Sequence, residues 1–250
     1  MTSTLLERAK SLKLYGMIAH WEAIEETVLE QLIDWEETER THRGITTRLS
    51  NARIGRFKPL AEFDWNWPKK CDREAIEELM GLDFIRGITN IIICGPNGAG
   101  KSTIAQNIAH QAVLRGHSTL FTTAGQMLNE LASQDGDNAL RRRIQYYAKP
   151  KVLVIDEVGY LSYSNRHADL MFEVIARRYQ TNPTIVTTNK PFGEWGEIFP
   201  NASCVVSLID RLVHNSEIIG IEADSYRLKE AKEQTMKRKA ERTEKKNKVK

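Results

Sequence analysis

Cysteine is scarce in this chain, and so is any long apolar run. The 250 residues contain three cysteines, Cys71, Cys94 and Cys204, far apart and with no CxxC pair among them. That spacing argues against a disulfide framework or a zinc knuckle and fits a reducing, cytoplasmic compartment. Residues 1–70 hold no cysteine at all, so they offer no clustered thiolates for a zinc module. No apolar stretch approaches the ~18 residues of a membrane span. The opening MTSTLLERAKSLKLYGM is broken by charges where a signal peptide would be continuously apolar. The expectation is a soluble cytoplasmic protein without a membrane partner. No internal repeat is visible, and the length allows one α/β core with an appendage.

Charge is present but unevenly placed. From Arg227 to Lys250 there are 11 Lys and Arg against 4 Glu, leaving 25 basic and 29 acidic side chains in the first 226 residues. A basic arm on a mildly acidic body either contacts phosphate backbones or remains a solvated tail.

The most informative string is GPNGAGKS at 95–102, a complete GxxxxGK[ST] pattern placed directly after Ile91-Ile92-Ile93-Cys94. A strand delivers this loop, and a helix with apolar Ile104, Ile108, Ala112 and Val113 leaves it. A triphosphate can then sit on backbone N–H groups at a helix N-terminus. Gly95, Pro96, Asn97, Gly98, Ala99, Gly100, Lys101, Ser102 and Thr103 form the expected cradle. Lys101 reaches the β- and γ-phosphates, and the Ser102 hydroxyl faces Mg2+.

Downstream, Val152-Leu153-Val154-Ile155 is a buried-strand pattern ending in Asp156 and Glu157. Ligands of a parallel sheet gather at the carboxyl ends of its strands, which points both acids at the loop. Two adjacent acids need different tasks. Asp156 is expected to hold Mg2+ through water, and Glu157 to orient and deprotonate the attacking water. A further strand, 184–188, ends at Asn189, whose amide can bond both the γ-phosphate and that water. An Asx-turn before Pro191 is the plainer reading of Asn189. Arg211, in LIDRL, is pushed outward by the buried face of Leu208, Ile209 and Leu212 and could enter a neighbouring subunit's site. Arg227, in DSYR, could touch nucleotide within its own chain. Spacing alone fits surface ion-pair arginines as well.

Strands at 91–94, 119–123, 151–155 and 184–188, separated by helical stretches that include 169–179, imply a parallel sheet covered on both faces. Before them, residues 5–60 read as helical. Met17, Trp21, Ile24 and Val28 recur at amphipathic spacing, and a second helix runs from about 37 to 52. On that second helix Arg40, Arg43 and Arg48 share an arc of about 140° opposite the apolar side, a stripe suited to a phosphate backbone. Arg53 and Arg56 flank Gly55 where the helix ends. Residues 57–70 read as a linker pinned to the core by Trp65 and Trp67. Arg141, Arg142 and Arg143 point in three directions on a helix, so at most two share a face. The stripe, Arg53, Arg56 and this triplet are the DNA-contact candidates, with a solvated charged face as the alternative.

Taken in order, ARIGRFKPLAEFDW, GPNGAGKS, VLVIDEVGYLSY, MFEVIARRY, TIVTTNKPFGEW and SLIDRL with DSYRLK resemble the AAA+ family. Within it the chain is similar to the IstB-type ATPases of bacterial insertion sequences, relatives of DnaC-type helicase loaders, over nearly its whole length. The resemblance implies an AAA+ P-loop core, α/β with a parallel sheet flanked by helices, preceded by a small all-α region. The corresponding domains are 1–70, 71–228 and a basic tail, 229–250. It implies ATP and Mg2+ as cofactors and a homo-oligomer with ATP at subunit interfaces, assembled on duplex DNA largely without regard to sequence. It also implies remodelling of target DNA and recruitment of a partner transposase. By position Asn189 becomes sensor 1, Arg211 the trans-acting finger and Arg227 the sensor 2 arginine. Initiator and loader relatives turn the region of Arg141–Arg143 towards nucleic acid. Two alternatives remain: a loader of a replicative helicase on single-stranded DNA, and a DNA-coating scaffold that binds ATP without hydrolysing it.

Overall fold

Short β-branched runs separated by helices build a sheet of six strands: β1 (Lys70–Cys71), β2 (Asn90–Cys94), β3 (Thr119–Thr123), β4 (Val152–Val158), β5 (Thr184–Thr188) and β6 (Ser216–Glu222). The spatial order is β1-β6-β2-β5-β4-β3, parallel throughout except for the antiparallel β1–β6 pair. The structure is a computed structural model that describes residues 2–161, 163–200 and 203–248, with side chains from residue 4 to residue 238. Much of the basic tail therefore lies outside the described side chains, and its last two residues lie outside the described residues altogether.

The four strands read from sequence are all present, and β4 runs on through both acids to Val158. β1 and β6 are additions. β6 buries Ile219 and Ile221 on one face and leaves Ile218 55% exposed on the other, so it alternates where the central strands are continuously apolar. The helix Lys101–Leu114 packs across the sheet with Ile104, Ile108, Ala112 and Val113 fully buried, as its spacing requires. The polar stretch after β3 resolves into two helices, Ala124–Ala132 and Asp137–Ala148. The next helix is Asn165–Arg178, starting four residues earlier than the apolar period indicates. The main core joins Ile92, Leu153, Ile155 and Val186 of the sheet to Met127, Met171, Val174, Trp195 and Leu208 of the covering elements.

One buried charge holds this layer together. Arg178 is 1% exposed and has no carboxylate partner among the described residues. Its guanidinium donates to the carbonyls of Ala148 (2.8 Å), Pro150 (2.7 Å) and Pro183 and to Thr184 Oγ1 (3.0 Å). Burial pushes its pKa down to about 9, which leaves it charged at neutral pH. The carbonyl at the end of helix Asp137–Ala148 faces it in the sense the helix dipole favours. Arg178→Met, which strands those acceptors, is expected to cost about 3 kcal/mol, read as a lower urea midpoint.

The chain divides into two compact units, Met1–Ser50 and Asn51–Lys250. In the first, Leu5, Ala9, Leu12 and Ile33 form a small core to which Met17 and Trp21 add partial cover. Arg8 ties the first helix to the third through Glu37 (2.7 Å) and Asp34. The amphipathic run through Met17, Trp21, Ile24 and Val28 does not lie on one helix. Helix Tyr15–Ala19 gives way to a turn at Trp21–Ala23, Ile24 is extended, and a new helix runs from Glu26 to Ala52. The stretch from 37 to 52 is therefore the second half of a 27-residue helix. Lys13, with φ 56°, closes the first helix in a left-handed cap, with Leu14 N–H donating to Ala9 O at 3.0 Å.

Candidate nucleotide-binding site

The loop between β2 and the helix Lys101–Leu114 is shaped by what presses on it. Gly98 and Gly100 have φ of 78° and 97°, a region open to glycine. A Cβ at 100 would come within 2.5 Å of the Phe63 ring, and one at 98 would collide with Ser225. The backbone is held from outside as well, with Tyr226 N–H donating to Gly98 O at 3.1 Å. Lys101 is 3% exposed, and its ammonium donates to the carbonyls of Gly95 (2.7 Å) and Pro96 (2.8 Å). Burial pushes its pKa below the usual lysine value, and Asp156 opposes that shift. Phosphate oxygens would replace the two carbonyls as partners of a cation already in place. Lys101→Ala is expected to weaken ATP binding about 100-fold, from ~3 kcal/mol of charge-assisted hydrogen bonding, measured by titration with a fluorescent nucleotide.

Strand register brings the polar ends together. Cys94 pairs with Thr188, and Thr123 pairs with Asp156, so the ends of β2, β3, β4 and β5 lie along one rim. Asp156 is 4% exposed and accepts from Ser102 Oγ at 3.0 Å. A hydroxyl beside a carboxylate suits Mg2+, which binds one or two protein groups and completes its shell with water and phosphate. No cluster of three or more His, Cys, Asp or Glu among the described residues would hold a metal without such help. Glu157 adopts φ 62°, a strained backbone for a side-chain-bearing residue, where β4 bulges away from β5. Asn189 follows β5, and its Oδ1 is buried with no hydrogen-bond partner among the described residues. It lies so close to Gly159 that a Cβ there would sit 2.6 Å from it. An unpaired acceptor in a polar rim is fitted to a water or ligand proton.

Beside this rim is a cavity of about 280 Å³, lined by Gly98–Thr103 and by Phe63, Trp67, Tyr160, Tyr226 and Arg227. Arg227 is thus placed over the loop of its own chain. Arg56, named from the sequence as a DNA-contact candidate, lines the same cavity. Trp67 anchors the segment, donating from Nε1 to Asp224 O at 2.9 Å with Lys229 4.5 Å over its ring.

Arg211 lies elsewhere. Asn90, at the start of β2, donates to Leu212 O at 3.0 Å, so Arg211 belongs to the end of the sheet opposite the loop. The five residues of β2 separate the two by roughly 15 Å, at ~3.3 Å per residue. Its guanidinium stacks 4.4 Å over Phe172 and 5.8 Å from Tyr179, with no carboxylate partner among the described residues.

A family model described as IstB-like ATP binding protein matches residues 8–234. The chain belongs to that family. It is 36% identical over 249 residues to an insertion sequence IS5376 protein of Geobacillus stearothermophilus named for ATP binding, covering 96% of this chain and 99% of that one. It is 37% identical over 191 residues to the corresponding IS21 protein of Pseudomonas aeruginosa, covering 76% and 72%. Among solved structures, DnaI matches with a TM-score of 0.54 at 19% identity, over 69% of this chain and 91% of that one. DnaA of Aquifex aeolicus bound to AMPPCP matches with a TM-score of 0.50 at 19% identity, over 66% and 50%. These likenesses are of fold alone.

The basic residues of the IstB-like chain are dispersed. Arg40 pairs with Glu36, and Arg43 pairs with Glu39 at 3.3 Å, so acids are interleaved in the stripe read from sequence. Arg48 is half-buried, folded back over Gly44. Arg53 follows the helix end with φ 54° and lies 5.7 Å over the Tyr146 ring. Arg143 stacks on the same ring at 4.6 Å and pairs with Glu130, while Arg141 and Arg142 are exposed. The triplet thus divides as helix geometry requires. The sequence reading missed Phe63, Tyr160, Tyr226 and Thr187, all of which border the loop or its acids.

Proposed function

We propose that this IstB-like protein is a Mg2+-dependent ATPase that self-assembles on duplex DNA, remodels it, and recruits and activates a partner transposase. Hydrolysis would then control assembly and release. The observation that carries this reading is the separation of Arg211 from the phosphate loop of its own chain. A half-buried arginine, steadied by two aromatic rings and roughly a strand's length from its own chain's loop, is suited to a neighbour's site. Two copies then make one hydrolytic pocket.

Within that pocket Lys101 and Arg227 bind phosphate oxygens of the same chain's nucleotide. Ser102 and Asp156 would hold Mg2+, which would supply charge neutralisation on the phosphates. Glu157 takes the proton of the attacking water, and Asn189 Oδ1 accepts a hydrogen bond that orients it. Regions 1–70, 71–228 and 229–250 serve as the DNA-binding and assembly region, the ATPase core and a basic tail. Arg40, Arg43, Arg48, Arg53, Arg56, Arg141, Arg142 and Arg143 contact phosphates, which makes binding strongly salt-dependent and nearly indifferent to sequence.

Kinship with proteins named for insertion sequences favours a transposase over a replicative helicase as the client. The strained Glu157 and unpaired Asn189 Oδ1 favour hydrolysis over a scaffold that merely binds ATP. Phosphate release measured with no DNA, single strands and duplex tests the proposal. Stimulation by duplex above single strands is expected, and no release under any condition would remove the ATPase reading.

A further inference from the structure

We infer that Thr187 is a positioning residue whose one hydroxyl fixes both acids of the hydrolytic rim. The inference rests on the ATPase reading above and adds a residue to it. Between β4 and β5 the ladder breaks: Ile155 pairs with Val186, and pairing resumes only at Val158 with Thr188. Asp156 and Glu157 therefore lie opposite the single residue Thr187. Such a bulge leaves a strand N–H without its ladder acceptor, and here that N–H belongs to Glu157. Thr187 Oγ1 takes its place, accepting from Glu157 N–H at 2.9 Å. The hydroxyl's own proton goes to Asp156 Oδ1 in a short hydrogen bond.

Thr187 is fully buried, so water cannot supply either bond if the hydroxyl is removed. Asp156 Oδ1 receives two donors, Thr187 and Ser102, and their joint direction fixes the plane of the carboxylate. Glu157 is held at φ 62° by a bond from the neighbouring strand. Without that bond the backbone gains by relaxing towards an ordinary region, which swings the carboxylate away. Threonine suits the post, because its branched Cβ restricts χ1 on a strand and holds the hydroxyl between its partners. Thr187 thus acts on Mg2+ through Asp156 and on the attacking water through Glu157, touching neither.

The test uses the full chain as wild type, Thr187→Val and Thr187→Ser, each first checked for a wild-type melting transition. Binding of the fluorescent nucleotide mant-ATP is followed as Mg2+ is titrated into metal-stripped protein, and phosphate release is measured separately. In Thr187→Val the Mg2+ concentration for half-maximal binding is expected to rise about 10-fold and kcat to fall about 10–100-fold, the usual effect of losing a group that orients a metal ligand. KM for ATP at saturating Mg2+ stays unchanged, and Thr187→Ser restores both values. Wild-type Mg2+ dependence and kcat in Thr187→Val would overturn the inference. So would equal impairment of Thr187→Ser, which would make the residue a packing element. Should Thr187→Val not fold, Thr187→Ala carries the same expectations. Absence of phosphate release from the wild type would defeat the ATPase reading, and the Mg2+ titration would still decide the role of Thr187.

Discussion

Replacing Arg211 with alanine is expected to cut kcat for ATP hydrolysis by about 10³-fold, the lower end of what arginine fingers contribute, while nucleotide affinity stays intact. The split follows from geometry. The carbonyls of Arg211 and Leu212 accept from Asn90 at the start of β2, while every phosphate-binding group lies at the other end. Removing the Arg211 side chain leaves the own-chain cradle untouched and deprives only the neighbour's site. The consequence that distinguishes a shared pocket from a private one comes from mixing. Arg211→Ala supplies an intact Glu157, and Glu157→Gln supplies an intact Arg211. Neither is active alone, and together they form interfaces with a full set of groups. Recovery of phosphate release on mixing is the expected result; a mixture as inert as its components would show that Arg211 does not serve a neighbour's site.

Glu157→Gln is expected to lower kcat about 10²–10⁴-fold, the range for loss of a positioned general base. ATP and DNA binding should survive, because the phosphates are held by Lys101 and the loop. The amide keeps nearly the shape of the carboxylate but cannot take a proton. Assemblies on duplex DNA should therefore persist after excess ATP is removed, seen as slow dissociation from immobilised duplex. Turnover at the wild-type rate would take Glu157 out of its assigned role.

The central part of this fold was legible because its signals are local. Ile91–Cys94 followed by GPNGAGKS forces a strand, a turn and a helix in succession, and the apolar run into Asp156 and Glu157 marks a strand end. What was not legible depends on partners distant in sequence. β6 pairs with β2 and β1 across long stretches of chain, and its alternating Ile218, Ile219 and Ile221 carry no signal of which strand lies beside them. Thr187 reads as one more β-branched residue of a strand until the bulge of β4 places Glu157 N–H against its hydroxyl. Arg56 reads as a basic residue beside the helix end, and only the fold places it at the cavity of the phosphate loop. The turn at Trp21–Ala23 and the extended Ile24 interrupt an amphipathic pattern that was sound in composition.

Sedimentation velocity of the purified wild-type chain tests the central claim most directly, with Mg2+ and a long duplex present and ATP either added or withheld. A composite pocket closed by Arg211 predicts a multi-subunit species on DNA when ATP is present and its loss when ATP is absent. A chain that sediments as a monomer, or binds DNA one copy at a time regardless of nucleotide, would contradict it.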